Sequence, residues 1–392
     1  MSSYQRQSLE TVVINNGRSS KGATGSEVWN LNLDQIESGT GRVLAKQIVP
    51  VNGLGSSTFS FEAGTVLYSK LRPYLNKVIV ADEAGVATTE LVPLRCDPEK
   101  LLPEYLAYYL RSPEFLGFAN VVVAGAKMPR MVMGEFWKHQ VPLPPLPEQR
   151  RIAAILDQAD ALRAKRREAL AELDQLTQSI FIEMFGDPVA NSANWNKLPL
   201  AEVVTGKYGV KAGPFGSALK KEEYVSSGYR VYGQEQVIAG RFDIGDYYIS
   251  ERKYEQLKSC AITEGDLLVS LVGSFGKILI VPSGIEPGII NPRLLKISPN
   301  QKILTSKFLA AVLEHPSVQK HFEQVAHGGT MGILNAGLLK QLDVILPPLH
   351  LQAAFANRLE SAVQIALAHN KFLLELDSLF SSLQHSAFRG EL

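Results

Sequence analysis

The sequence predicts an α+β protein made of one unit written twice: a mixed α/β domain followed by a long coiled-coil helix, then the same again. Three observations carry this. The chain matches itself at a shift of 203 residues, without a gap from Leu101–Phe185 onto Leu304–Phe388, with 25 identities in 85 positions. Self-similarity of that length marks a duplicated structural unit. The end of each repeat carries heptad-spaced apolar residues, which argue for a coiled coil. The remainder is rich in short β-like runs punctuated by glycine. Two similar but diverged units on a rigid frame suit the reading of a two-part target.

The helices are the clearest elements. The first is predicted over about Pro147 to Phe185. Pro147 suits the first helical position, Glu148 suits the positive N-terminus, and Gly186 and Pro188 supply the stop. One seam reads Ile152, Ala159, Arg166, Leu173, Ile180, with a companion row Ile155, Leu162, Ala169, Leu176. The second helix is predicted over about Leu351 to Phe388. Its seam reads Phe355, Ala362, His369, Leu376, Leu383, with Ile365, Phe372 and Leu379 alongside. Arg166 and His369 share one repeat position, so a polar layer is expected to fix register there. The alternative, two helices packed only on their own domains, leaves helices of almost 40 residues poorly covered.

The globular parts are expected at about 1–140 and 190–343. Their strands are predicted at Thr65–Ser69, Val78–Val80, Asp266–Ser270 and Ile278–Val281. A helix near Pro103–Arg111 recurs at Ser306–Glu314, each followed by a proline, Pro113 and Pro316. The repeated Leu-Pro-Pro-Leu at 143–146 and 346–349 reads as a rigid hinge before each helix, or as a polyproline ligand.

Bulk properties bound the function. A chain of 392 residues with 45% hydrophobic content can build two or three real cores. Two cysteines, Cys96 and Cys260, make neither a metal cluster nor a disulfide framework, and point to a reducing compartment. No apolar signal core opens the chain, and no run approaches the roughly 18 apolar residues of a membrane span. A cytoplasmic, soluble protein with no membrane association is expected. The net charge of +1 means that any nucleic-acid surface must concentrate its positive charge on one face, or share it with partners.

A search for catalytic motifs finds none. Asn291-Pro292-Arg293-Leu294 lacks the second proline and the aromatic of an amino-methyltransferase motif. The stretch 273–277 is too short for a phosphate-binding loop. His315, His321 and His327 are spaced by six, which does not place them on one helix face. A nuclease carboxylate–lysine cluster stays open at this level. Three loop regions remain as contacts to nucleic acid. Residues 207–221 interleave lysines, glycines and aromatics, which reads as a phosphate cradle or as a solvated flexible loop. The strands ending near Ser69 and Ser270 lead into turns carrying Lys70 and Arg72, or Ser274 and Lys277. The loops 125–130 and 328–332 keep Gly125/Gly328 and Met128/Met331 but exchange Lys127 for Thr330. That is what two readers of different sequence would show, and also what drift would show.

Together these residues resemble the specificity subunit of type I restriction–modification systems. The resemblance covers nearly the whole chain. Its strongest parts are 142–152, Pro-Leu-Pro-Pro-Leu-Pro-Glu-Gln-Arg-Arg-Ile; 184–188, Met-Phe-Gly-Asp-Pro; and 387–392, Ala-Phe-Arg-Gly-Glu-Leu. Supporting parts are 213–217, 265–270, 67–74 and 88–90. The second helix departs from the pattern, with His350-Leu351 in place of Pro147-Glu148.

The resemblance implies a target-recognition domain at 1–145, a spacer helix at 146–186, a second recognition domain at 187–348 and a second spacer helix at 349–392. Each domain would read one half of a bipartite target in double-stranded DNA, and the helices would pair antiparallel about a pseudo-twofold axis. The chain itself would hold no cofactor and carry no catalysis. It would recruit two modification (methyltransferase) subunits that methylate adenine at N6 with S-adenosylmethionine. Restriction (translocase and nuclease) subunits would use ATP and Mg2+. A stand-alone DNA methyltransferase or nuclease, or a non-DNA coiled-coil scaffold, are the alternatives.

A helix of about 39 residues is roughly 58 Å long, enough to hold two readers about a turn of B-DNA or more apart. Base-edge reading needs polar side chains on loops. The candidates are Ser19, Lys21, Lys70, Arg72, Lys127 and Arg130 in the first domain. In the second they are Lys211, Ser217, Lys220, Gln234, Ser274, Lys277, Arg293 and Thr330.

Overall fold

The computed structural model describes residues 4–14, 26–55, 57–271, 276–327 and 336–392, with the side chains of Asp174, Ser217 and 323–327 outside that description. The chain divides into two compact units. The N-terminal unit comprises Met1–Leu170 and Ala368–Leu392, and the C-terminal unit comprises Ala171–Leu367. Each unit therefore holds its own globular domain, the start of the helix that follows it, and the end of the other long helix. The long helices run over Leu146–Phe185 and Leu349–Arg389.

Both units share a common set of strand pairings, to which the C-terminal unit adds the strand Val210–Ala212 beside Leu294–Ile297. In the N-terminal unit, strand Val66–Ser69 pairs antiparallel with Val78–Val80 on one side and Leu91–Leu94 on the other. In the C-terminal unit, Leu267–Ser270 pairs in the same way with Ile278–Ile280 and Leu294–Ile297. A second sheet in each unit contains one parallel pair. Glu27–Leu31 lies beside Gly85–Thr88, and Tyr229–Tyr232 lies beside Gly288–Ile290.

The central strands are buried on both faces, which is why they read as unbroken apolar runs. Successive side chains point to opposite faces. Val66 and Tyr68 enter a core shared with the helices, while Leu67 enters a second core with Trp29, Phe59 and Phe61. Leu267 and Val269 likewise face the helix-side core of their unit, and Leu268 faces the distal one.

The joint between each domain and its long helix is copied in detail. The helices predicted near Pro103 and Ser306 form over Pro103–Leu110 and Ser306–Glu314, and the following prolines open two more, Pro113–Val121 and Pro316–His327. Gln149 is fully buried. Its Oε1 accepts from the Leu102 N–H at 2.9 Å, and its Nε2 donates to the carbonyls of Lys100 at 2.7 Å and Pro144 at 2.8 Å. Gln352 makes the corresponding bonds to Thr305 at 2.9 Å, Ile303 at 3.0 Å and Pro347 at 2.8 Å. The prolines between strand and helix are thus part of a stapled hinge. Pro144 and Pro347 are themselves buried, which leaves them unavailable as a polyproline ligand.

The first seam of each helix faces inward as expected, with Ile152, Phe355 and Ala362 buried. Within the N-terminal unit the helix segments run antiparallel. Arg151 Nη2 donates to the Leu392 carbonyl at 2.8 Å, Arg163 Nε donates to Asp377 Oδ1 at 2.6 Å, and Arg166 Nη1 lies 3.3 Å from His369 Nδ1. The polar layer is there.

The companion rows need correction. Leu162, Leu176, Ile365, Phe372 and Leu379 are all at least 45% exposed. The second inward row lies one residue later: Leu156, Arg163, Leu170, Thr177 and Met184, matched by Leu359, Ala366, Leu373, Phe380 and Ala387. Arg163 and Thr177 disguise that row as polar. Arg163 is only 12% exposed because Asp160 and Asp377 pair with it and the Phe380 ring lies 4.2 Å from its guanidinium carbon.

Candidate nucleic-acid interface

In the N-terminal unit three loop segments are laced together where the strand Val66–Ser69 ends. The Lys70 N–H donates to the Glu90 carbonyl at 3.0 Å. The Met131 N–H donates to the Lys70 carbonyl at 2.8 Å, and the Arg72 N–H to that of Pro129 at 2.7 Å. Leu71 and Arg130 form an isolated antiparallel bridge. Arg72 is exposed and takes a left-handed backbone, φ 48°, which turns the chain sharply into Pro73. A β-unbranched residue tolerates that region better than a branched one.

Lys70, Arg72 and Arg130 therefore meet in one patch. Lys127 stands on the adjoining exposed loop, whose turn is made by Gly125 at φ 97°. A Cβ there would also press on the Met128 carbonyl at 3.2 Å. Glu90 joins this patch, and its motif alone did not single it out as a contact. Both its oxygens accept from Arg130, with the shortest contact 2.8 Å from Nη2. The Arg130 hydrogen bonds hold the Glu90 carboxyl below the usual carboxylate range. Ser19 and Lys21 lie outside the described residues.

The C-terminal unit builds its counterpart on the same frame. The Leu271 N–H donates to the Arg293 carbonyl at 3.0 Å, and the Ser270 N–H to that of Lys277 at 3.0 Å. Arg293 is exposed, and its N–H is capped by Asn291 Oδ1 at 2.9 Å. Among the described residues Arg293 has no ion pair. The loop at Gly213 closes directly onto this turn. A Cβ at Gly213 would collide with the Asn291 carbonyl, and one at Gly233 would sit 2.7 Å from Asn291 Nδ2. Glycine at these positions lets the strand Val210–Ala212 and the helix Gln234–Ala239 converge on residues 291–293. That brings Arg293, Lys277 and Gln234 into one region.

Lys211 lies on the strand just before Gly213, its Nζ 5.6 Å from the Tyr208 ring. Lys220 stands on a separate turn, where its own N–H is accepted by Glu223 Oε2 at 3.0 Å. Lys277 is exposed and lies near Glu314. Ser274 and Thr330 lie outside the described residues, and so does the Ser217 side chain. Exposed aromatics edge these loops, Tyr74, Tyr208 and Phe215 among them, with Phe215 64% exposed.

The long helices offer a second kind of surface. In the N-terminal unit Leu162, Phe372, Leu374 and Leu379 face outward, with Leu374 70% exposed. In the C-terminal unit Leu176, Ile182, Val363, Ile365 and Leu367 do so. Contiguous exposed apolar residues mark interaction surfaces more often than isolated ones do. No group of acidic, histidine and cysteine side chains able to hold a metal ion occurs among the described residues. No helix among them is long and apolar enough to cross a membrane.

Comparison with known proteins places these features. The family model described as type I restriction modification DNA specificity domain matches residues 40–174 and 194–376. The chain is 31% identical over 160 residues to the type I restriction enzyme EcoDI specificity subunit of Escherichia coli, a stretch that is 40% of this chain and 35% of the relative. It is 24% identical over 317 residues to the EcoBI specificity subunit of Escherichia coli, covering 73% of this chain and 65% of the relative. The matches thus span about one third to two thirds of these relatives' lengths.

Among solved structures, a chain from work on complex assembly and conformational transition of the type I R-M system superposes with a TM-score of 0.65 at 19% identity. That match covers 100% of this chain and 99% of that one. The S subunit of a type I restriction-modification system from M. genitalium superposes with a TM-score of 0.53 at 16% identity, covering 98% and 96%. At these identities the structural likeness establishes the fold.

Proposed function

Since this chain belongs to the type I restriction modification DNA specificity family, we propose that it is the DNA specificity subunit of such a system, each unit reading one half of a bipartite target in double-stranded DNA. The observation that carries this is the shared frame with changed side chains. One backbone arrangement presents Lys70, Glu90 and Arg130 in one unit, and Leu271 and Arg293 in the other. Phosphate contacts position a protein on DNA and base contacts specify sequence. A fixed frame with different polar side chains supplies both.

Lys70, Arg72, Lys127 and Arg130 are the proposed contacts of the first unit, together with Ser19 and Lys21. Lys211, Ser217, Lys220, Gln234, Ser274, Lys277, Arg293 and Thr330 are those of the second. The outward apolar rows of the long helices are proposed to dock two methyltransferase subunits and the restriction subunits, and helix length to set the spacer between half-sites. S-adenosylmethionine, ATP and Mg2+ belong in this reading to those partners. The chain directs adenine-N6 methylation and ATP-dependent cleavage without catalysing either, in the cytoplasm.

The test is methylation mapping of host DNA by single-molecule sequencing, with this gene present and deleted and its modification partner intact. Loss of N6-methyladenine at one bipartite motif on deletion is the expected result. An unchanged methylome, in a host where the partner subunits are expressed, contradicts the proposal. A scaffold without DNA contact predicts that second outcome. A stand-alone methyltransferase predicts methyl transfer by the purified chain alone.

A further inference from the structure

We propose that Glu90 is a positioning residue for Arg130, and that the guanidinium edge it leaves open reads a guanine in the half-site taken by the N-terminal unit. The inference rests on the reading above, that this unit contacts DNA. A guanidinium carries five N–H donors in a rigid plane. Glu90 engages one edge, accepting from Nε at 3.1 Å and from Nη2 at 2.8 Å. The other edge, formed by Nη1 and the second Nη2 hydrogen, is left with two parallel donors. That pair matches O6 and N7 of guanine, the commonest specific contact of arginine in the major groove.

The main chain beneath is fixed as well. Arg130 is bridged to Leu71, and the residues on either side of it are hydrogen-bonded to Lys70 and Arg72. The side chain is still 45% exposed, so a base edge can reach it. An arginine held at both backbone and head loses little further freedom on binding.

A competing account makes Glu90 a plain neutraliser of surface charge. Exposed pairs of that kind contribute little and need no particular geometry. Two features favour positioning. The contact is bidentate, which fixes the guanidinium plane as well as its charge. Furthermore, 203 residues later the same frame position carries Arg293, so the reversal of charge falls where the backbone is preserved. A position that helps choose a base is expected to differ between readers of different half-sites.

The experiment measures N6-methylation rates by the reconstituted complex of the full chain with its methyltransferase partner, on a DNA library randomised across both half-sites. Arg130→Ala is expected to flatten the preference at one base pair of one half-site by roughly 5- to 100-fold. Glu90→Ala should relax that same base pair by a smaller factor. Glu90→Gln keeps one acceptor but turns an NH2 donor toward the guanidinium, so it should relax that same base pair by a factor no larger than Glu90→Ala does, and an unchanged preference in the other half-site controls for misfolding. The other half-site stays unchanged in all three.

The inference is overturned if Glu90→Ala leaves every base preference as it was, lowers all of them alike, or relaxes a base pair other than the one lost in Arg130→Ala. A wild-type complex with no base preference at all would instead overturn the reading on which it rests.

Discussion

The two units close the joint between domain and long helix with the same backbone and different chemistry. In the C-terminal unit the joint is a phenylalanine cluster. Phe308 stacks on Phe181 at 5.7 Å and meets Phe185 edge-on at 4.9 Å, with Phe355 5.6 Å from both helix rings. In the N-terminal unit the equivalent of Phe308 is Tyr105, whose ring meets Phe388 at 5.5 Å and whose hydroxyl donates to the Pro142 carbonyl at 2.9 Å. The equivalent of Phe181 is Gln384, which donates to the Tyr108 carbonyl at 3.3 Å. Tyr108 in turn donates to Asp157 Oδ1 at 2.6 Å. Beyond the buried glutamine that both joints share, one is held by apolar burial and the other by apolar burial plus a further hydrogen-bonded network. The frame sets where side chains meet and leaves open what they are, which is also how the two loop patches differ.

The comparison can be broken most sharply at its aromatic end. Phe308→Ala should destabilise the C-terminal unit by about 3–5 kcal/mol through the cavity it leaves. Tyr105→Phe should cost the N-terminal unit only about 1 kcal/mol, the net value of one hydrogen bond. Denaturant unfolding with hydrogen exchange resolved by unit would measure both, and a cost below about 1 kcal/mol for Phe308→Ala would remove the cluster from the account.

The next effect tests what the units share. Gln149→Leu and Gln352→Leu each orphan a half-buried backbone N–H and two carbonyls, one of them buried, and each should cost roughly 2–4 kcal/mol. The costs should agree between units, because the bonds do. A large loss in one and none in the other would mean that the stapled hinge is not a common device.

The smallest effect is one of pH. Burial pushes the His139 imidazole down to about 4, while the residue 203 later is the apolar Leu342. A base whose folded pKa is depressed contributes stability that is full above its unfolded value, near 6.5, and is lost as pH falls toward about 4. The N-terminal unit should therefore weaken across that window, and His139→Leu should flatten the slope there. In the C-terminal unit burial also lowers His315, so some acid sensitivity remains in both. An unchanged slope in His139→Leu would assign the window to other groups.

Much of this architecture was legible in the sequence, for reasons that have limits. Repetition and heptad spacing located both long helices to within a few residues, because a helix of 40 residues must keep one face apolar over many turns. The Arg166–His369 layer followed from the repeat alone. The inward companion row did not, because it contains Arg163 and Thr177. The charge of Arg163 is hidden only by contacts with Asp160 and Asp377 that a one-dimensional pattern does not show.

The proposed DNA contacts were legible as loops rich in lysine and glycine. That Arg130 reaches back to Glu90, 40 residues earlier, was not, since the pairing depends on three loop segments meeting in space. The close approach of Gly213 to Asn291 likewise joins distant stretches. Sequence could place the glycine in a turn, and the fold supplies the carbonyl it makes room for.

The central claim is that each unit reads its own half of the target. The most direct measurement compares the methylated motifs directed by two variants in the same host. One variant carries Lys70→Ala, Arg72→Ala and Arg130→Ala, and the other carries Lys211→Ala, Lys277→Ala and Arg293→Ala. Each should degrade specificity in one half of the bipartite motif and leave the other half intact, the two variants affecting opposite halves. Degradation of both halves by either variant, or of the same half by both, would contradict it.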